Sequence, residues 1–562
     1  MERRARFACV ACRKLKRKCP KELPACSLCL RLDKRCEYPP RVRDSNGGEI
    51  QESSASSQSP NANGEVDRQS LQSSDGPRTE QHLGFPRVAR SIHRGIDTFP
   101  AIFFLDSEVC TKPLSSDCNP PMAPSTLLDS LPSETHGVYE QYFSTIHRWL
   151  PILSKKRMRR SMAELGLPAD SPSRLLSLCM SLVSEPLFPG VPARVNKTYS
   201  RTLEALFKVE NSSLPCIQLL QSVILISVYE IGHSIYPAAY LHVGYASRLC
   251  VMMGLHDRKN AAQLFQDTIT WTAREEERRA WWAVICLDRI SNQGINGLPF
   301  AAPEPSPGEL LPCPETTWNE GGVGFNEPIF ASSFSNNTSL GSFANVCQAA
   351  HILGRVLRHR DELHDASLAL DFRIAEAKQL HGILTSLCSH LREASRDLIS
   401  LDSSVYVALA LCFSARLIIS DLYACNEKYS TDHGRSSEEA EMQREAMGSI
   451  LETVRYTWQL TRQMLDSIDR AGERELDNIN PLLCHCLYAA AQESEWFIFE
   501  QEDSNAGTWL RDFVRLLRII GRRWQVADVY LAQISKWPGY NRVVVQNGGY
   551  DIVEHDVEVS GY

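Results

Sequence analysis

Six cysteines crowd the start of the chain and restrict what it can form. Cys9, Cys12, Cys19, Cys26, Cys29 and Cys36 follow the pattern C-x2-C-x6-C-x6-C-x2-C-x6-C, two copies of one half. A C-x2-C pair lets two thiolates reach one metal from a tight turn, the usual opening of a structural zinc site. Each half offers three thiolates, whereas a tetrahedral zinc wants four. Two zincs therefore need two of the six thiolates to bridge, and the near-repeat points to one bridging thiolate per half. No histidine precedes His82, so histidine ligands do not enter. Ring-type and ribbon modules need more ligands and longer loops. A redox CxxC would leave four cysteines unexplained.

Charge separates this head from the rest. Of 60 Lys+Arg and 67 Asp+Glu in the 562 residues, Met1–Arg43 holds 14 basic and 4 acidic residues, a balance of +10, against -17 for the remainder. That asymmetry predicts a basic nucleic-acid-binding head on an acidic body. The run Arg13-Lys14-Leu15-Lys16-Arg17-Lys18 fills the first six-residue loop of the cluster, and Arg3, Arg4 and Arg6 extend the basic patch.

The stretch CVACRKLKRKCPKELPACSLCLRLDKRCEY resembles the fungal zinc binuclear cluster, Zn(II)2Cys6, family of transcription factors. All six cysteines match, as does Pro24 in the loop between the halves. The resemblance implies two Zn2+, with Cys9 and Cys26 bridging, Cys12 and Cys19 completing one site and Cys29 and Cys36 the other. It also implies a short helix in the major groove, reading CGG-type triplets in double-stranded DNA. Lys16 matches the main base-contacting lysine and Lys18 another commonly basic position. Lysine donors suit the O6 and N7 acceptors of guanine. Arg13, Lys14 and Arg17 are assigned to phosphates, which set orientation. Leu15 stands where the family usually carries a basic residue, and Arg17 where an apolar one is frequent.

Residues 44–130 are expected to be mostly a disordered linker. The part up to about 95 is rich in Ser, Gln, Gly, Asn and Asp and cannot bury enough apolar surface to offset its ordering entropy. No heptad repeat is seen there. From about Ser133 the apolar spacing turns helical: Val138, Tyr142, Phe143, Ile146 and Trp149-Leu150 recur until Pro151. Ile217–Tyr229 is apolar nearly all round. Ala238–Met253 reads as a helix capped by Gly254, and Thr272 with Glu275 as a capping box before Trp281–Leu287. Strand alternation is scarce. The predicted fold is a small two-zinc, six-cysteine N-terminal domain, a disordered linker, and a large all-α multi-helix domain.

The segments VYEQYFSTIHRWLPIL, AAYLHVGYASRLCVMMGLH and EEERRAWWAVICLDRISNQGINGLP resemble the fungal-specific transcription factor, or middle homology, domain. The chain is accordingly divided into 1–43, zinc cluster; 44–130, linker; 131–400, middle homology domain; and 401–562, a C-terminal helical region with an acidic-apolar tail. Gly244 is expected to admit close helix packing, Arg248 and His256 to bond internally, Trp281-Trp282 to be core, and Asp288-Arg289 to form a buried ion pair or cap. Lys155–Arg160 reads as a helix surface. His359, Asp361, Glu362 and His364 read as a solvated helix face, and Cys484 and Cys486 as small buried hydrophobes.

No P-loop, GxSxG or HExxH motif occurs, so no enzyme is expected. No apolar run is expected to approach the roughly eighteen residues of a membrane span, and MERRARF lacks the apolar core of a secretory signal. The expectation is a nuclear, non-membrane activator of RNA polymerase II transcription, serving a metabolic or biosynthetic gene cluster. Its partners beyond DNA are the transcription machinery, with a second copy and a small-molecule effector as further options. The competing reading is a zinc-module scaffold that binds proteins without reading DNA.

Overall fold

In the computed structural model the described residues are 19, 21, 24–31, 35–36, 105–106, 135–163, 172–187, 190–212, 215–258, 270–306, 308–329, 340–362, 369–395, 404–424, 436–472, 478–501 and 505–545. They belong to two units, Met1–Gly95 and Ile96–Tyr562. Among the described residues of the first is the short helix α1 (Ser27–Arg31). The second is built from α2 (Thr135–Ser144), α3 (Ile146–Trp149), α4 (Lys155–Ala163), α5 (Pro172–Ser184), α6 (Lys197–Ser212), α7 (Ile217–Gly232), α8 (Ala238–Met252) and α9 (Trp271–Ser291). It continues through α10 (Glu315–Glu320), α11 (Ser342–Asp361), α12 (Leu370–Ser395), α13 (Ser404–Ala424), α14 (Ser437–Ala471), α15 (Cys484–Trp496), α16 (Ala506–Gly521) and α17 (Val526–Ile534). Among the described residues there is no strand, only an isolated bridge between Leu310 and Pro328.

Two helices organise this body. α7, buried along nearly its whole length, packs against α5, α8 and α9, and α13 packs against α11, α12, α14 and α15. The contact of α9 with α11 joins the two neighbourhoods, and one apolar core runs from Leu105 to Val543. α13 corrects the reading of the sequence: its 21 residues are long and apolar enough to cross a membrane. Scattered Ser, Tyr and Arg residues hide that run from the eye. Here it is mostly buried, so the same composition serves as the central core helix of the body. Each large apolar side chain buried there contributes about 1.5–3 kcal/mol.

Helix ends show where local sequence rules held. α8 stops in a Schellman motif: Leu255 N–H donates to the Cys250 carbonyl (2.9 Å), Gly254 N–H to Val251 (3.0 Å), and Gly254 takes φ +71°. The cap of α9 is Thr270, whose side chain accepts from Ala273 N–H (3.3 Å), two residues before the expected Thr272. Glu275 is not a cap but a fully buried ion-pair partner. α14 begins with a complete capping box, Ser436 and Glu439.

Other expectations are corrected. A Cβ on Gly244 would meet nothing within 4 Å, whereas one on Gly232 would fall 2.3 Å from the Trp524 ring. The close approach is therefore at the end of α7. Arg248 is exposed, and His256 Nδ1 is buried with no hydrogen-bond partner among the described residues. His359 is buried, with Nδ1 2.8 Å from Glu376 and Nε2 2.7 Å from the Tyr423 hydroxyl. The solvated-face reading thus fails for His359, because it lies where α11 meets the neighbouring helices. His364 lies outside the described residues. Within the expected linker, Leu105 is buried in the body core and Asp106 accepts from the Tyr488 hydroxyl (2.9 Å).

Candidate metal centre and the buried charges of the body

The second cysteine half folds around its own sulfurs. Sγ atoms of Cys26, Cys29 and Cys36 all lie within 4.8 Å of one another. Four thiolates around one zinc at about 2.3 Å stand roughly 3.8 Å apart, so this grouping is near the spacing a metal needs. α1 starts immediately after Cys26. Cys29 N–H donates to Cys26 Sγ (3.4 Å), Cys26 N–H donates to Cys36 Sγ (3.3 Å), and Leu30 N–H closes the turn onto the Cys26 carbonyl (3.1 Å). Backbone N–H groups thus aim at the Cys26 and Cys36 sulfurs and hold the turn around them. Cys26 and Cys29 are buried, Cys36 is half-buried, and Cys19 of the other half is buried too. Lys21, between the halves, turns the backbone at φ +62°.

Three thiols from one half leave a tetrahedral site one ligand short, and the set fits a zinc whose fourth ligand comes from elsewhere, as the bridging sulfur of the family resemblance would supply. Cys9 and Cys12, and the basic run with Arg13, Lys14, Lys16, Arg17 and Lys18, lie outside the described residues. Among the described residues this is the one group of three or more His, Cys, Asp or Glu side chains close enough to hold a metal. Cys484, His485 and Cys486 form no such group. Burial pushes the Cys486 thiol up to about 12 and pulls His485 down to about 4, while Cys484 is also pushed up. Buried thiols kept protonated behave as small apolar side chains.

The charged motif EEERRAWWAVICLDR is structural chemistry. Glu275 accepts from Arg279 Nε (3.0 Å), Cys313 N–H (2.8 Å) and Asn326 Nδ2 (2.9 Å), and pairs with Arg278. Arg279 donates to the Cys313 carbonyl (2.6 Å) and lies over the Trp318 ring (4.7 Å). Glu276 takes Ser154 N–H (3.0 Å) and pairs with Arg157. One turn of α9 thus pins three loops. At the other end Asp288 accepts from Ala301 and Ala302 N–H (3.1 and 3.0 Å). Arg289 bonds Asp288 (2.5 Å) and Glu304 (2.9 Å) and stacks on Phe300 (3.9 Å). Trp281 and Trp282 are core, the latter donating to the Leu310 carbonyl (2.9 Å). Arg360 donates to the carbonyls of Gln293 (2.7 Å) and Asn292 (3.3 Å), locking the loop after α9. Sequence reading found Asp288 and Arg289 but missed the Glu275–Arg279 staple, which is one of several i, i+3 and i, i+4 charge pairings that the run Arg274–Arg279 offers.

Comparison with known proteins matches residues 7–45 to the fungal Zn(2)-Cys(6) binuclear cluster domain and residues 139–397 to the fungal specific transcription factor domain. Transcription factor BOA15 of Botryotinia fuckeliana is 35% identical over 185 residues, 32% of this chain and 98% of that protein. Transcription factor tazR of Aspergillus terreus is 27% identical over 261 residues, 44% of this chain and 40% of tazR. The pigment biosynthesis transcriptional activator pigB of Monascus ruber is 23% identical over 246 residues, 41% of this chain and 42% of pigB. The alignments thus span nearly all of BOA15 and about two fifths of the other two.

Proposed function

The chain belongs to the fungal Zn(2)-Cys(6) transcription factors, a family of DNA-binding regulators whose cluster domain binds two zinc ions, and from that premise we propose how this member works. Cys9 and Cys26 bridge the two metals. Cys12 and Cys19 complete one site, Cys29 and Cys36 the other. The grouping of Cys26, Cys29 and Cys36 supports a shared site for those three sulfurs, and the bridging roles follow the family resemblance. Bound zinc fixes the loop between Cys12 and Cys19 as a rigid reader. Lys16 and Lys18 then contact bases of a CGG-type triplet, while Arg13, Lys14 and Arg17 hold phosphates.

The protein acts in the nucleus on RNA polymerase II genes, through the transcription machinery, as an activator of a biosynthetic gene cluster. Relatives described as biosynthesis activators, pigB and DEP6 of Fusarium langsethiae, support this reading. The helical body supplies regulation, through a small-molecule effector and self-association. The proposed boundaries are 1–43, 44–130, 131–400 and 401–562; the matches at 7–45 and 139–397 support the first and third.

The test is a selection of random duplexes on the full-length protein, with zinc and after chelation. CGG-type enrichment that chelation abolishes is the expected result. No enrichment from zinc-loaded protein refutes direct DNA reading and leaves a protein-binding zinc module. Lys16→Ala lowers the preference for the triplet; an equal loss on all sequences makes Lys16 a phosphate contact instead.

A further inference from the structure

A cavity of ≈ 250 Å³ lies where α12, α13 and α14 meet. Its floor is apolar: Leu409 and Phe413 of α13 and Leu460 of α14 are buried. Its wall is polar. Arg392 of α12 lies over the Tyr456 ring, 3.4 Å from its centroid, and donates to Gln459 Oε1 (3.2 Å). Gln459 and Gln463 are exposed at the rim.

Behind this wall, outside the cavity lining, the structure holds a buried cation. Tyr456 donates to Glu452 Oε1 (2.6 Å), and Glu452 Oε2 accepts from Arg416 Nη2 (2.6 Å). Arg416 is only 1% exposed, and its Nε and Nη1 find no hydrogen-bond partner among the described residues. Leu409, Phe413 and Arg416 fall at i, i+4 and i+7 on α13, so the cavity floor and this guanidinium share one helix face. Thr385 Oγ1 and His381 Nε2, on the same face of α12 as Arg392, are buried without partners as well. Leaving buried polar groups unpaired costs about 1–3 kcal/mol each. None of these atoms lines the cavity, so the one cation presented to its interior is the Arg392 guanidinium.

We infer that the junction of α12, α13 and α14 is a binding site for a small carboxylic acid with an apolar, preferably aromatic, body. The carboxylate meets Arg392 at the wall, in the field of the Arg416–Glu452 pair, and the body rests on Leu409, Phe413 and Leu460 with Tyr456 against its face. A cavity of about 150 Å³ accepts benzene, so ≈ 250 Å³ suits one to two fused rings. The apolar floor disfavours inorganic phosphate, which needs donors on all sides. This site deepens the regulatory reading of the body and rests on it for its purpose, not for its chemistry.

The test is calorimetric titration of zinc-loaded full-length protein with benzoate, 1-naphthoate and hexanoate, each to millimolar concentration, and with 1-naphthamide and inorganic phosphate as counterparts. At least one carboxylate binds at one per chain. 1-Naphthamide binds at least about tenfold more weakly than 1-naphthoate, the loss of one charge-assisted hydrogen bond. Arg392→Gln, at a half-exposed position, weakens carboxylate binding by a similar factor. Gln463→Trp closes the rim without touching the core. The site is refuted if no carboxylate binds, if phosphate binds as well as they do, or if both variants bind as wild type. The same preparations are assayed on CGG-type duplexes. Failed carboxylate binding with intact DNA binding removes this site alone; failed DNA binding with intact carboxylate binding removes the regulator reading alone.

Discussion

Gly232 ends α7 against the face of Trp524, whose indole N–H is itself tied to the Ile479 carbonyl (2.9 Å). A methyl group at 232 has nowhere to go, because the ring it meets is anchored. Gly232→Ala is expected to cost about 1–3 kcal/mol, read as a lower urea midpoint, whereas Gly244→Ala leaves stability level or higher. The sequence singled out the wrong glycine of the two. Small residues inside helical patterns mark close approaches only when the facing element is known, and Trp524 lies nearly three hundred residues away. The cysteine spacing was legible for the opposite reason, since ligand count and ligand type are written in local sequence. Buried histidines set a pH dependence that no local pattern shows. Burial holds His147 and His233 down to about 3 and His351 to about 4. A histidine depressed in the fold gives stability that is present above its unfolded value, about 6.5, and lost as pH falls toward the folded one. Glu309, raised by burial to about 7, acts with the opposite sign: it costs stability as pH rises from the ordinary carboxylate range. His233→Gln is therefore expected to flatten the loss of thermal stability between about pH 6.5 and 4 relative to wild type. Parallel slopes would show that His233 is not among the groups that titrate on unfolding.

At the scale of the helix, α9 combines roles that sequence patterns treat as separate. Its middle is an all-round apolar core element, while its charged turns hold loops in place through Glu275, Glu276, Arg279, Asp288 and Arg289, all buried. Helical period revealed the element and Gly254 the end of its predecessor, but the start was misread by two residues. Thr270 and Thr272 both offer a hydroxyl, and only the packing of Glu275 against Cys313 and Asn326 decides between them. Arg279→Met leaves Glu275 buried with part of its compensation removed, and a loss of about 3–5 kcal/mol is expected on equilibrium unfolding. Replacing Glu275 and Arg279 together by Met should cost less than the single change, because no lone charge then remains inside. A double variant weaker than the single would show that the pair's hydrogen bonds to loop backbone matter more than its charge balance.

For the molecule as a whole, the metal-bearing head and the helical body are separate units, and their stabilities should respond to different reagents. Folding of a zinc cluster is coupled to metal binding, while the body draws on one continuous apolar core. Chelation is expected to abolish DNA binding while the main calorimetric transition stays within a degree or so of its place. A large shift of that transition would mean that metal also supports the body. Composition and charge asymmetry set a basic head apart from an acidic body. What they could not predict was how α13, taken from beyond the expected boundary at 400, becomes the hub for α11 and α12 on one side of that boundary and α14 and α15 on the other. Such packing depends on which faces meet, and period alone does not state that.

The character of α13 has a consequence for how the chain is made. A ribosome delivers residues 404–424 before α14 and α15 have emerged, so for some seconds a 21-residue apolar helix lacks two of the neighbours that bury it. During that interval it is a substrate for whatever recognises nascent apolar segments, including membrane-targeting factors and chaperones. A chain stalled or truncated just after Ala424 is expected to sediment with microsomes in a cell-free translation, and one extended through α17 to stay in the supernatant. Equal partitioning of the two would show that α11 and α12 alone suffice to shield the helix at birth.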